Sequence, residues 1–168
     1  GRYYQSGAIP NMVQMHKEGG YRTRDVTDVW IRGGAVLTPV KNMSFNIDYS
    51  ANINDREEVS YWRRLIGYST DPGPYEPVIY PHMNPSRVTK DNRDTRYYVF
   101  NAFADYENTF LDKHNFKAMI GFNQENSVIT AFEAYREILT VESLPYMSLA
   151  SGQMNVNDSK NSYALRGA

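Results

Sequence analysis

Five aromatic residues, Tyr61, Trp62, Tyr68, Tyr75 and Tyr80, crowd into one polar, proline-rich stretch of the chain. Flat aromatic faces stack on sugar rings or clamp a peptide, so these five are the candidate ligand contacts; packing within a loop is the competing role. Other reactive side chains do not converge. His16, His82 and His114 lie far apart, and none has a second histidine at i, i+3 or i+4, so no metal site is expected. His114 and Asp112 suit a turn. Glu57-Glu58 would point apart on a strand, and Glu133 with Glu137 would need a helix to meet. Both pairs read as solvated charge. Arg63, Arg64, Arg93 and Arg96 offer cations to an acidic ligand or to nearby carboxylates. No nucleophile comes with a base, and no glycine-rich phosphate loop occurs, so neither catalytic residues nor a cofactor are expected.

The bulk numbers narrow the class. The 168 residues fit one domain and carry a formal charge of -1, which gives no basic surface for nucleic acid. Aromatic content is 14%, with 14 tyrosines, which suits a β-rich protein, an interfacial aromatic belt or a sugar-binding surface. Mean hydropathy is -0.61. That value is compatible with a membrane barrel, because half of every barrel strand faces a polar lumen. Cysteine is absent, which removes disulfides and thiolate chemistry. No apolar run reaches the ~18 residues of a spanning helix, and no signal peptide opens the chain. The chain opens on Gly1 and stops in what reads as the first turns of a strand, so it is expected to be an internal piece of a longer protein.

The elements that position these residues are strands. Phe45, Ile47, Tyr49, Ala51 and Ile53 alternate with Ser44, Asn46, Asp48, Ser50 and Asn52, giving one apolar and one polar face. Residues 25–38 alternate less cleanly, with Val29, Ile31, Ala35 and Leu37 opposite Asp28 and Arg32, and with Trp30 and Val36 on the polar side. Residues 95–125 read as a hairpin. Tyr98, Phe100, Ala102, Ala104 and Tyr106 share a face in its first arm; Phe116, Ala118, Ile120 and Phe122 share one in its second. Residues 1–24 lack periodicity and read as loop. Long connections are expected at 54–93 and 126–161, with 127–140 as a strand extension or a short helix. Tight turns are expected at 39–43 and 110–114. The fold class is therefore all-β and antiparallel, with short turns at one rim and long loops at the other. A soluble β-domain would show the same alternation.

Several strings carry a resemblance. Asp28-Val-Trp-Ile-Arg-Gly-Gly-Ala-Val-Leu-Thr-Pro39 with Lys41-Asn-Met-Ser-Phe-Asn-Ile-Asp-Tyr49 resembles a descending strand, Thr-Pro turn and ascending strand of SusC/RagA-type transporters, the TonB-dependent outer-membrane proteins of Bacteroidetes. Asn101-Ala-Phe-Ala-Asp-Tyr-Glu-Asn-Thr-Phe110, Lys113-His-Asn-Phe-Lys-Ala-Met-Ile-Gly-Phe-Asn-Gln-Glu125, Ser143-Leu-Pro and Tyr163-Ala-Leu-Arg-Gly-Ala168 are similar in the same order. The similarity runs over about residues 20–168, and residues 54–93 depart from it most. The resemblance implies that 1–168 is part of a TonB-dependent receptor β-barrel domain of roughly 22 strands. This piece would supply four strands and the start of a fifth, with periplasmic turns, extracellular loops, and the plug and signal sequence outside it. It implies an outer-membrane importer of oligosaccharides, or of peptides as in RagA-like transporters. The implied partners are a SusD-like surface lipoprotein, the TonB complex, the oligosaccharide or peptide cargo and membrane lipid. Read without the resemblance, a soluble carbohydrate-binding β-domain is the alternative. Trp30, Phe45, Tyr98, Tyr106, Phe116 and Phe122 near strand ends are then expected in interfacial aromatic girdles.

Overall fold

The computed structural model describes residues 4–5, 11–69, 77–80, 83–111 and 113–167. Along the chain run β1 (Tyr4–Gln5), α1 (Met12–Glu18), β2 (Gly20–Val40), β3 (Met43–Trp62), β4 (Ile66–Ser69), β5 (Pro77–Ile79), β6 (Arg87–Phe110), β7 (His114–Glu137) and β8 (Met154–Gly167). A five-stranded antiparallel sheet has the order β2-β3-β6-β7-β8, and a three-stranded sheet has the order β1-β4-β5. No helix among the described residues is long and apolar enough to cross a membrane.

The chain divides into two compact units. The strand unit comprises Val26–Arg56, Arg93–Ala131 and Ser159–Ala168. Its segments are rich in β-branched and aromatic residues that fit a pleated surface. Two tight connections serve it. Lys41-Asn42 joins β2 to β3, with Asn42 at φ 68, a left-handed conformation that asparagine tolerates better than most residues. The Asn42 carbonyl then accepts from the Glu107 N–H at 2.9 Å, which fixes the register of β3 on β6. Between β6 and β7, Leu111 turns the chain at φ 53 and the Lys113 N–H donates to the Phe110 carbonyl.

The loop unit comprises Gly1–Asp25, Glu57–Asn92 and Phe132–Asp158. It holds the buried cluster of Tyr61, Val88, Leu139 and Ala150, with Met147 packed against it. The small sheet pairs Tyr4 with Tyr68 in parallel and Ile66 with Ile79 in antiparallel sense. Two structural features differ from the sequence reading. Part of the segment expected to be loop, 1–24, forms α1, because the Asn11 side chain accepts from the Val13 and Gln14 N–H groups and caps the helix start. Its one buried side chain, Gln14, donates to the Ile66 carbonyl at 3.0 Å, so the helix is secured by a contact that local periodicity cannot reveal.

The strands also outrun their expected ends. β3 continues to Trp62 and β6 starts at Arg87, which cuts the connection expected at 54–93 to residues 63–86. β7 continues to Glu137 and β8 starts at Met154, which cuts 126–161 to 138–153 and makes 127–137 strand, not helix. Cross-strand ion pairs explain the first extension: Arg22 and Arg24 of β2 both hold Glu58 of β3. Gly20 opens β2 at φ +112, and a Cβ there would strike the Tyr61 carbonyl, so only glycine fits this crossing.

Candidate functional site

Four of the five aromatic residues singled out above lie among the described residues; Tyr75 lies outside them. They do not form one platform. Tyr61 is buried, and its hydroxyl donates to the Glu142 carbonyl at 2.8 Å. Burial pushes its phenol pKa up. Tyr80 is buried as well; its hydroxyl donates to Gln14 Oε1 at 3.3 Å and accepts from the Asn11 N–H at 3.1 Å. Tyr68 is half-buried and packs at a tilt against Tyr4. Trp62 is the exposed member.

Trp62 and Tyr61 line an apolar groove of about 400 Å³ with Met15, Tyr21 and Met83. Tyr21 meets Tyr61 edge to face at 5.8 Å. The β3 end brings Tyr61 and Trp62 here, α1 brings Met15, and β2 brings Tyr21. Two flexible thioethers lining a groove with aromatic rings make an adaptable surface for apolar or planar groups. The sequence reading missed Met15, Tyr21 and Met83, since a lone methionine carries no positional signal.

Seven charged side chains of the loop unit are held in ion pairs: Arg22, Arg24 and Glu58, Arg63 and Glu142, and Arg87 and Glu137. Arg24 donates to Glu58 at 2.7 Å and Arg22 completes the pair, and this holds the Glu58 carboxyl below its ordinary range. Arg63 donates to Glu142 at 2.8 Å, which raises the arginine further. Arg87 pairs with Glu137 and lies 4.4 Å from the centre of the Tyr135 ring, a cation–π contact that the sequence reading did not single out. Arg64 lines a polar pocket of about 250 Å³ with Gln14, Glu18 and Glu142. Such a surface can bind by stacking and hydrogen bonding; it presents no nucleophile with a base. Among the described residues no group of three or more His, Cys, Asp or Glu could hold a metal ion.

The strand unit has two chemically distinct faces. Hydrogen bonds identify the polar one: Asn52 to Asp28 at 2.6 Å, Asn46 to Asp105 at 3.2 Å, Asn123 to Asn101, and Thr109 to Asn115 at 2.7 Å. Lys117 faces Glu107 across the same hairpin at 3.5 Å. Opposite parity carries Phe45, Ile47, Tyr49, Phe116, Ile120 and Phe122, all exposed. On that face Tyr49 stacks on Tyr98 at 6.3 Å, and Asn126 donates to the Tyr98 hydroxyl. Further along, Tyr106 packs on Phe116 and accepts from Asn108. Aromatic pairs with polar tips thus bracket Phe100, Ala102, Ala104, Ala118 and Ile120.

No protein-family model matches the chain, and no curated protein matches it. Solved structures do. The chain is similar to the structure of the RagAB peptide transporter, with a TM-score of 0.69 and 13% identity over 90% of this chain. It is similar to the RagAB peptide importer in the 'closed-closed' state (TM-score 0.69, 13% identity, 89% of this chain) and in the 'open-open' state (TM-score 0.68, 13% identity, 89% of this chain). It spans 16% of the length of each of those chains. At this identity the likeness establishes the fold: this all-β wall is built like a segment of those transporters.

Proposed function

We propose that the chain is a stretch of barrel wall from a TonB-dependent outer-membrane transporter of the SusC/RagA type, which imports oligosaccharides. In this reading, residues 1–168 belong to the receptor barrel, and the plug and the segment contacting the TonB complex lie elsewhere in the protein. A SusD-like surface lipoprotein serves as partner at the long-loop end. Of the aromatic residues singled out above, exposed Trp62 is the one that meets cargo or that lipoprotein, with half-buried Tyr68 beside Tyr4, while Tyr61 and Tyr80 support it from the core.

The bracketed apolar band carries the reading. From Tyr98 to Tyr106 the strand advances about 27 Å at ~3.4 Å per residue, and a barrel tilt of ~35–45° shortens that to roughly 20 Å of height. An outward apolar band of such barrels is ~25 Å tall and is flanked by aromatic girdles. The lengths of the connections agree, since both tight ones serve one rim and both long ones the other. Peptide import is the second reading, favoured by the names of the similar structures.

Semi-native electrophoresis of outer-membrane fractions tests this, using an antibody to residues 54–93 with and without boiling. The expected result is a band several times larger than 19.4 kDa that shifts on heating. A small, soluble, heat-indifferent band would sink the reading. Uptake of labelled glycan against labelled peptide then separates the two cargoes.

A further inference from the structure

Ile138, the residue after β7, sits at φ 54. A β-branched side chain in the left-handed region is strained, and such strain persists only where the surroundings hold it. Both sides hold it here. The Ile138 N–H donates to the Ser86 carbonyl at 2.9 Å, and the Ile138 carbonyl accepts from the Ser151 N–H at 2.9 Å. The ladder around it is offset. The Glu137 N–H donates to Gln153 O and the Thr140 N–H to Leu149 O, so one side advances from 137 to 140 while the other runs from 149 to 153. That extra residue is a bulge, which bends the hairpin and re-aims its tip. Beyond the bend Leu139 pairs with Ala150, and both join the buried cluster with Tyr61 and Val88. Glu142 makes a second hold: its carbonyl accepts from the Tyr61 hydroxyl and its carboxylate from Arg63, each at 2.8 Å.

We propose that residues 138–153 are a two-position strap, bent shut in this structure and loaded toward opening by Ile138. Returning Ile138 to an extended conformation relieves the left-handed strain. It also breaks the Ser86 and Ser151 bonds and lifts Leu139 and Ala150 off Tyr61 and Val88. Burial of those side chains holds the strap shut against the strain. The Arg63–Glu142 pair adds a weak latch, since its side chains are 45% and 28% exposed and water screens them. The strap acts on Tyr61. That ring walls the groove shared with Met15, Trp62 and Met83, and the Glu142 carbonyl holds its hydroxyl. Opening the strap frees the ring, so the strap governs whether the groove keeps its shape. All of these groups belong to the loop unit, so the strap stands whether or not the strand unit lies in a membrane.

Hydrogen exchange of the full-length protein tests the strap, read by mass spectrometry on peptides covering 139–150 and 66–69. In the wild type, 139–150 is expected to exchange about tenfold faster than 66–69, because the strap opens without unfolding β4. Asparagine tolerates the left-handed region, and Ile138 is 52% exposed, so Ile138→Asn relieves strain while giving up little packing. This variant is expected to slow exchange of 139–150 about tenfold and to leave 66–69 unchanged. Arg63→Ala is expected to speed 139–150 about threefold, again without moving 66–69. Exchange at 66–69 thus serves as the folding control in both variants. Faster exchange of 139–150 in Ile138→Asn would show that Ile138 stores no strain. Exchange of 139–150 in step with 66–69 in the wild type and both variants would show a single position. Either result overturns the strap and leaves the barrel reading untouched.

Discussion

The two units solve the problem of apolar surface in opposite ways. Every buried apolar residue among those described, Tyr61, Leu65, Tyr80, Val88, Ala134, Leu139 and Ala150, belongs to the loop unit. The strand unit buries none of its own; Ile31, Leu37, Ile47, Phe116 and Ile120 remain exposed along one face. A core assembled from its own side chains suits water. A face left bare over so many positions suits a solvent that is itself apolar, because large contiguous apolar patches are rare on soluble monomers. Under the barrel reading proposed above, one chain contains a region for each medium, and substitutions should distinguish them.

The largest expected effect is in the loop unit. Leu65 is 2% exposed, so Leu65→Ala should cost about 2–5 kcal/mol through lost burial and a cavity. Protease sensitivity of residues 57–92 in the full-length barrel should rise equally in detergent and in vesicles. A loss seen only in vesicles would mean that lipid, not this core, supports the unit. Next comes Ile120→Arg, expected to cost about 2–4 kcal/mol near the bilayer midplane. Folding titrations should register it in vesicles, and the heat-shifted band should weaken. Normal assembly of this variant in outer membrane would reverse the assignment of faces.

The smallest effect concerns Glu58. Its folded pKa lies below the ordinary glutamate value, chiefly through the Arg24 hydrogen bond, with Arg22 adding to it. Such a group binds fewer protons folded than unfolded, so its stabilisation is complete above the ordinary glutamate range. It is lost only as pH falls through the depressed folded value. Hydrogen exchange at the β2–β3 end should therefore be level near neutrality and accelerate only in acid. Arg24→Ala should narrow that difference; an exchange step near neutral pH would assign the effect to another group.

How much of this was legible follows from where the information sits. The alternation from Ser44 to Ile53 is local and complete, so β3 could be read directly over that span. Beyond Asn54 the run Asp55-Arg-Glu-Glu58 looks like loop charge, because the partners that make Glu58 a strand residue, Arg22 and Arg24, lie more than thirty positions away. Helix α1 was illegible for a similar reason: it buries one glutamine and no apolar stripe. Tyrosine supplied the third difficulty. Tyr61 and Tyr80 look like exposed binding aromatics in a polar stretch, yet a tyrosine can bury its ring once its hydroxyl finds an acceptor, here Glu142 O and Gln14 Oε1. The tight turns needed only neighbouring residues and were read within a residue or two; the two faces of the β6–β7 hairpin were read as well, but its arms run on to Arg87 and Glu137, beyond the expected 95–125.

The two-residue period of β6 and β7, each 24 residues long, also limits which length changes the gene can accept. One codon inserted between Asn115 and Asn123 would move every later side chain of β7 to the opposite face, sending Glu125 to the apolar side. Two codons would restore the faces and shift only the height of the rungs. Insertions in 63–86 or 138–153 leave the alternation of the five long strands untouched, because those residues only join them. Length variation among relatives of this chain should therefore be free in the long connections and even-numbered in the wall.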